Sequence, residues 1–344
     1  MGSNIEKRSE ASPSRGMILG KFMPPHMGHK YLIDFGRHYV DELTVLVCTR
    51  GCEEIDGEKR WRWMNEMFGG AGVKLVHVTD DLPQVPEDDE RFWEIWRGVV
   101  LEHMPEGTDY VFACEAYGYQ LADVLDAKYV PVDRAREMVP VSATMIREDP
   151  LRHWEYLPEC VRPEYVKRVC LFGPESTGKS TLAAGLAKHF ETVCVGEHAR
   201  PLLDHKEGVC EEVDIPLIAK GQRTSEDALA LQANRLLICD TDALLTCVWS
   251  EKLFGGYSDW LYGFAMEREY DLYLLLDIDV PWVNDGQRYL EEAREDFMVR
   301  CVRMLEKAGR PYLKVSGDWG ERFEVAVRAC DELIECHRSK YSQL

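Results

Sequence analysis

Two short apolar runs in this chain each lead through a turn rich in Gly and Pro into a helix start. The first covers 16–22 and is followed by Met23-Pro24-Pro25-His26-Met27-Gly28-His29. The second covers 167–172 and is followed by Gly173-Pro174-Glu175-Ser176-Thr177-Gly178-Lys179-Ser180-Thr181. A strand that turns through glycines into a helix belongs to an α/β alternation. In such folds ligands sit beyond the carboxyl ends of the strands. Two such openings predict an α/β protein of two parallel-sheet domains with a site in each, and 344 residues are enough for both.

The rest of the pattern keeps to that reading. Apolar runs predict strands over 43–48, 73–78, 110–114 and 128–132, with helices near 59–68 and 89–104. In the second half, strands are predicted near 193 and over 236–239, 272–276 and 312–315, with a closing helix over about 321–336. Residues 150–163 hold three prolines and Trp154 and read as the connection. The expected division is a disordered N-terminus over 1–15, a Rossmann-like domain over 16–150, a linker over 151–166 and a P-loop domain over 167–344.

Composition closes off several classes. Lys and Arg number 41 against 61 Asp and Glu, a net charge of −20. Duplex nucleic acid calls for the opposite, a basic face, although local basic pockets for small anions remain open. No apolar run nears the ~18 residues of a membrane span. The longest stop at strand length, as in Tyr273-Leu274-Leu275-Leu276, and the first fifteen residues, polar and without an apolar stretch, are not expected to act as a signal peptide. The twelve cysteines include no C-x-x-C pair, and Cys48, Cys114 and Cys239 sit in or after apolar runs. They are expected as buried free thiols of a reducing compartment, the cytoplasm.

The second opening, Gly173-x-x-x-x-Gly178-Lys179-Ser180, is a Walker A pattern. Its glycines let backbone N–H groups wrap phosphate oxygens, and the helix that follows points its positive end at them. ATP is expected on this loop, with Glu175, Ser176, Thr177 and Thr181 beside the glycines. Lys179 would neutralise the β/γ charge and Ser180 would ligate Mg²⁺. The predicted strand over 236–239 runs into Asp240-Thr241-Asp242. Asp240 stands where a carboxylate can hold Mg²⁺, and Asp242 is free to hold or deprotonate a hydroxyl. Glu197 is a further candidate base and Arg200 an anion clamp, both in Gly196-Glu197-His198-Ala199-Arg200. Which of Glu197, Asp240 and Asp242 is the base stays open. Arg288 and Arg294, in and beyond the segment 281–288, are candidates for a mobile lid that neutralises a transferring phosphoryl group.

The first opening carries Gly20-Lys21-Phe22 and then His26-x-Gly28-His29. Two imidazoles at a helix start converge with the helix N-terminus on one anion. Gly28 permits close approach of a nucleotide. A second element, Ser142-x-Thr144-x-x-Arg147, follows about 115 residues on. Its hydroxyls can cap a helix and donate to phosphate, and Arg147 can hold the β/γ-phosphates.

These two elements in this order resemble the nucleotidylyltransferase superfamily, whose members transfer AMP or CMP to a phosphate by in-line displacement. There the H-x-G-H histidines and the S-x-T-x-x-R element bind ATP phosphates. Such a signature followed by a Walker A kinase signature is similar to the NadR family, from Gly16 to about Asp331. Further matching stretches include Ile55 to Trp63, Gln84 to Asp88, Phe92 to Trp96, Glu115-Ala116-Tyr117-Gly118 and Asp133-Arg134-Ala135-Arg136. The resemblance implies a nicotinamide-nucleotide adenylyltransferase joined to a ribosylnicotinamide kinase. The second domain would phosphorylate nicotinamide riboside to nicotinamide mononucleotide (NMN), and the first would convert NMN and ATP to NAD and pyrophosphate. Both steps would use Mg²⁺-ATP.

The same resemblance implies substrate contacts at Arg60, Trp63, Trp93, Trp96, Glu115 and Tyr117, besides Arg200. Trp93, Trp96, Trp249 and Trp282 are candidates to stack on a cationic pyridinium, although each taken singly is expected first as a packing residue. His198 departs from the aromatic residue usual at its position. Regulatory members carry an N-terminal helix-turn-helix domain. Here about 15 polar residues precede the first strand, so no operator DNA is expected as a partner. Expected partners are small molecules, with no membrane, and a homo-oligomer is left open. Two other readings stay open too: a different nucleotidylyltransferase–kinase fusion of cofactor synthesis, and a nucleotide sensor without turnover.

Overall fold

The computed structural model describes residues 13–282 and 293–341, with side chains as far as Glu335. The chain divides into two compact units, Met1–Val161 and Arg162–Leu344.

The N-terminal unit alternates β1 (Arg15–Gly20), α1 (Met27–Tyr39), β2 (Glu42–Cys48), α2 (Gly57–Phe68), β3 (Val73–Val78), α3 (Phe92–His103), β4 (Tyr110–Ala113), α4 (Tyr117–Val124), β5 (Lys128–Pro131) and α5 (Ala143–Glu148). Its five strands are parallel, in the order β3-β2-β1-β4-β5. The central strands are unbroken apolar runs because both faces of the sheet are covered; Val45, Leu46 and Val47 are fully buried. On one face Ile33, Met64 and Phe68 of α1 and α2 pack with Val45 and Phe112. On the other, Trp96, Val100 and Leu121 of α3 and α4 pack with Met17, Leu46 and Val111. β1 lies between β2 and β4. The chain therefore leaves β1 toward one edge and returns on the other, and the diverging loops open a crevice at the carboxyl ends.

Residues 151–161 belong to this unit. Leu151, Trp154, Leu157 and Val161 are buried, so the division falls between Val161 and Arg162, inside the stretch expected as a linker. Pro158 opens a turn there, its carbonyl accepting from the Val161 N–H at 2.9 Å, and Pro163 lies in the helix that follows, while the apolar residues pack.

The C-terminal unit comprises α6 (Arg162–Tyr165), β6 (Lys167–Phe172), α7 (Lys179–His189), β7 (Cys194–Val195), α8 (Ala199–Asp204), α9 (Ile215–Ala230), β8 (Leu236–Asp240), α10 (Ala243–Phe254), α11 (Asp259–Met266), β9 (Leu272–Leu276), α12 (Arg294–Lys307), β10 (Tyr312–Val315) and α13 (Trp319–Tyr341). Its sheet is again parallel, in the order β10-β9-β6-β8-β7. Leu182 and Leu186 of α7 and Ala326 and Cys330 of α13 cover one face. Residues of α9 to α12, among them Ala219, Leu244, Leu261 and Phe297, cover the other. β6 lies between β8 and β9, so the loop after it stands in the middle of the carboxyl edge. Every described cysteine is a free thiol. No described helix is long and apolar enough to cross a membrane.

Candidate active sites in the two units

The crevice of the N-terminal unit is built on the turn from β1 into α1. His26 caps α1: its Nδ1 accepts from the Gly28 N–H at 3.1 Å, while Nδ1 of His29 accepts from the His26 N–H at 3.3 Å. The two rings stack with centroids 3.7 Å apart. Because each Nδ1 accepts, each neutral ring carries its proton on Nε2. Both rings are neutral near pH 7. Burial, aided by Arg136, pushes His26 down to about 3 and His29 well below the usual imidazole range, where His26 also contributes. The pair thus offers two uncharged N–H donors at the positive end of a helix. Positive charge in the same crevice comes from Lys21, Arg134, Arg136 and Arg147.

The second sequence element meets this turn in space. Ser142 is the N-cap of α5, its Oγ accepting from the Met145 N–H at 3.1 Å. Arg147, one turn on, donates from Nη1 to the Met23 carbonyl at 2.5 Å and from Nη2 to Thr144 Oγ1 at 3.4 Å. Its Nε lies 3.2 Å from Glu54. Phe22 is buried with φ +49, and its edge packs on the His29 ring at 4.9 Å. Gly20, Lys21, Phe22, Gly28, Ser142 and Thr144 all line the crevice.

The expected substrate residues separate into two groups. Trp93, Trp96, Glu115 and Tyr117 line the crevice. The Trp96 indole N–H is spent on the Pro83 carbonyl at 3.1 Å and the Tyr117 hydroxyl on the Leu19 carbonyl at 2.7 Å, so these rings are fixed by their polar tips. Arg60 and Trp63 are not in the crevice wall. Spaced i, i+3 on α2, they share its inward face and are 0% and 7% exposed. Arg60 pairs with Glu53 and donates to the carbonyls of Lys21 (2.7 Å) and Cys48 (3.4 Å). It supports the β1 turn from beneath. Sequence reasoning assigned no role to Arg134 and Arg136, which line the crevice. The Asp133 carboxylate organises their turn by accepting the N–H groups of Glu137, Met138 and Val139 at 2.8–3.1 Å. The available signal was a basic pair directly after a predicted strand.

In the C-terminal unit the loop after β6 wraps a cavity lined by residues from Glu175 to Thr181. Gly178 has φ +84, and a Cβ there would lie 2.3 Å from the Trp319 ring, so the conformation and the packing both require glycine. At Gly173, with φ +139, a Cβ would lie 2.9 Å from the Leu276 carbonyl oxygen. Lys179 Nζ donates to the carbonyls of Gly173 (3.0 Å) and Pro174 (2.8 Å). The Thr177 hydroxyl is fully buried and donates to Pro174, so this residue serves the cavity through its backbone. Arg322 of α13, 1% exposed, donates to the Thr177 carbonyl at 2.9 Å and braces the loop from behind.

Around the loop stand the carboxylates. Ser180 Oγ donates to Asp240 Oδ2 at 2.5 Å, and Asp240 Oδ1 is buried without a hydrogen-bond partner. An anionic oxygen with spare capacity beside a hydroxyl fits a hard cation such as Mg²⁺. Glu197 Oε2 lies 3.2 Å from Arg200 Nε. Burial raises the Glu197 carboxyl above its ordinary range; Asp240 adds to this, and Lys179 and Arg200 oppose it. Glu197 and Arg200 line the cavity, as do Trp249 and the apolar Ile215 and Ile218.

Asp240 and Asp242, both expected as catalytic carboxylates, are absent from the cavity wall; Asp240 meets the loop through Ser180, and Asp242 is held elsewhere. Asp242 Oδ1 accepts from the Leu245 N–H at 2.9 Å as the N-cap of α10, and its Oδ2 accepts from the Tyr273 hydroxyl at 2.8 Å. It is 1% exposed, and burial raises its carboxyl to about 6. β8 ends at Asp240, and the φ of +81 at Thr241 breaks the strand alternation that would keep two residues so spaced on one face, so Asp240 stays with Ser180 of the loop while Asp242 turns away to cap α10. Arg294 donates to the carbonyls of Val280 (3.1 Å) and Ser176 (3.4 Å), which links α12 to the phosphate loop. Arg288 lies outside the described residues. Sequence reasoning also passed over Gln222, a 2% exposed residue of α9 that reaches the cavity; only the fold brings it there.

Residues 168–322 match the family described as an AAA domain. Over 342 residues the chain is 30% identical to the trifunctional NAD biosynthesis/regulator protein NadR of Escherichia coli K12, spanning 93% of this chain and 83% of that protein. The chain belongs to the NadR family. NadR of Salmonella typhimurium is equally similar, at 30% identity over 93% of the chain. The nicotinamide-nucleotide adenylyltransferase of Pyrobaculum neutrophilum is 29% identical over 171 residues, 45% of this chain and 88% of that protein. The NadR fold extends to solved structures. A NadR protein in complex with NR superposes with a TM-score of 0.75 at 22% identity, covering 93% of this chain and 96% of that one. A NadR protein in complex with NAD and AMP-PNP gives a TM-score of 0.74 at 23% identity, with 94% and 96% covered. The α/β architecture of two parallel sheets is the one the NadR family shares.

Proposed function

We propose that this chain makes NAD in two consecutive steps, one in each unit. The C-terminal unit transfers the γ-phosphoryl group of ATP to the 5′-hydroxyl of nicotinamide riboside, giving NMN. The N-terminal unit joins NMN to the AMP part of a second ATP, giving NAD and pyrophosphate. The observation that carries the reading is the pair of phosphate-binding turns, 20–29 and 173–181, each at the carboxyl edge of its own parallel sheet in a chain of the NadR family.

In the kinase unit, the backbone of residues 173–181 and the positive end of α7 hold the phosphates, and Lys179 neutralises the charge that builds on the transferring group. Ser180 and Asp240 would hold Mg²⁺, which would supply positive charge to offset that of the phosphates. With Asp240 committed to Ser180 and Asp242 to its cap, Glu197 is the carboxylate left to take the 5′-hydroxyl proton. Arg200 and Arg294 supply further positive charge, and Trp249 with Ile215 and Ile218 forms an apolar wall for the base.

In the adenylyltransferase unit, a phosphate oxygen of NMN attacks the α-phosphorus of ATP. The new P–O bond forms as the bond to pyrophosphate breaks, with no covalent enzyme intermediate. His26 and His29 donate from Nε2 to phosphate oxygens, while Lys21 and Arg147 neutralise the leaving pyrophosphate. Catalysis then rests on positioning and charge stabilisation. Trp93, Trp96, Glu115 and Tyr117 form the wall for NMN. The free thiols favour a reducing compartment, the cytoplasm.

The test is a mass-spectrometric product assay with nicotinamide riboside, ATP and Mg²⁺. Both NMN and NAD are expected. Absence of NAD even when NMN is supplied would reject the adenylyltransferase assignment, and absence of NMN the kinase assignment.

A further inference from the structure

We propose that Gln222 of α9 is a positioning residue of the kinase site, its side-chain amide tying the turn that carries Glu197 to the turn that carries Asp240. This deepens the kinase reading above and rests on it. Gln222 Oε1 accepts from the His198 N–H at 2.9 Å, and Nε2 donates to the Thr241 carbonyl at 3.4 Å. His198 and Thr241 directly follow Glu197 and Asp240. A carboxamide is suited to the task because it accepts from an N–H and donates to a carbonyl at once without bringing charge.

Both turns need an outside hold. β7, which leads to Glu197, is only Cys194–Val195, so a short ladder anchors that turn. Thr241 has φ +81, a costly conformation for a β-branched residue, kept only where its surroundings impose it. α9 grips the first turn a second time. A Cβ on Gly221 would lie 2.0 Å from the His198 ring, so the imidazole rests directly on this glycine. Neighbouring residues of one helix therefore hold the backbone and the side chain of His198.

The consequence falls on chemistry rather than on ATP capture. The charged groups facing Glu197 are Lys179 at the start of α7, Asp240 at the end of β8 and Arg200 on α8. Releasing the turn changes these distances, and both the rate of phosphoryl transfer and the titration of Glu197 move with them.

The experiment measures nicotinamide riboside phosphorylation by the full chain across a pH series, for the parent, Gln222→Glu and Gln222→Met. Adenylylation of supplied NMN serves as the internal control. The expected result is a fall in kcat of about 10- to 100-fold, a KM for ATP within about twofold of the parent, and a displaced acid limb of the kcat profile. An independent arm uses Gly221→Ala, expected to lower kcat, and Gly221→Ala/His198→Ala, expected to restore it by removing the ring that the new methyl strikes. Gln222 variants with the parental kcat and acid limb would overturn the proposal, as would a double variant no better than Gly221→Ala. A parent without kinase activity would overturn the kinase reading together with this one. An active parent with unaffected variants would overturn this one alone.

Discussion

Replacing Asp242 with Asn separates two roles that the Asp240-Thr241-Asp242 run leaves indistinguishable. Asp242 is 1% exposed, and burial raises its carboxyl to about 6 from 3.8. Below 3.8 both folded and unfolded chains hold the proton. Between 3.8 and about 6 the unfolded chain releases it while the folded chain keeps it, so stability falls as pH rises across this window. At about 1.4 kcal/mol per pH unit, the loss by about pH 8 is roughly 3 kcal/mol. Asn keeps the oxygen that accepts from the Leu245 N–H, and it weakens the bond from Tyr273 by about 1 kcal/mol. Asp242→Asn is therefore expected to stabilise the C-terminal unit by roughly 1–2 kcal/mol at about pH 8 and to give no gain at about pH 4. Urea unfolding read by tryptophan fluorescence at both pH values measures this. Because both carboxylate oxygens face the cap and Tyr273, kinase kcat is expected to stay within about threefold of the parent. A loss of about 10²-fold or more in kcat, with urea midpoints unchanged at both pH values, would refute the argument and make Asp242 a catalytic group.

Three further outcomes follow from the two sites. Lys179→Ala is expected to lower kinase kcat by about 10²–10³-fold while supplied NMN is still adenylylated, measured by product mass spectrometry; loss of both activities in a folded variant would count against separate sites. His29→Ala is expected to stop NAD formation and let NMN accumulate in the same assay, and unchanged NAD synthesis would sink that assignment. Arg60→Met takes the guanidinium from Glu53, which keeps Lys21 at 3.0 Å and the Arg50 N–H at 2.9 Å, and removes a donor from two carbonyls beneath the β1 turn. It is expected to destabilise the N-terminal unit by about 2–4 kcal/mol, seen as a lowered unfolding transition, with the kinase unaffected.

Much of each site was legible because its parts are contiguous. A phosphate-binding turn is made by neighbouring backbone groups, so 173–181 carries its own pattern of glycines, lysine and hydroxyl, and His26-x-Gly28-His29 does the same at the first opening. The strands were legible because central parallel strands are buried on both faces and read as apolar runs; 73–78, 272–276 and 312–315 agree with β3, β9 and β10 residue for residue. The helix spacing of Arg60 and Trp63 was equally plain, yet helical spacing tells only that two residues share a face. That the face is turned inward is set by what α2 packs against.

By itself, then, the sequence determined the alternation and the two glycine-bearing turns that follow β1 and β6, because each depends on residues a few positions apart. Only the tertiary structure decided which groups act at a distance. It set Arg147 against Met23, 124 residues away, and Arg322 against Thr177, 145 residues away. It joined Gln222 to His198 across 24 residues, and it gave Asp242 to a helix cap and to Tyr273, 31 residues on. Such partners are selected by where the strands end and how the helices cover them. Strand order and helix packing arise from the burial of the whole core, and no local run of residues records them.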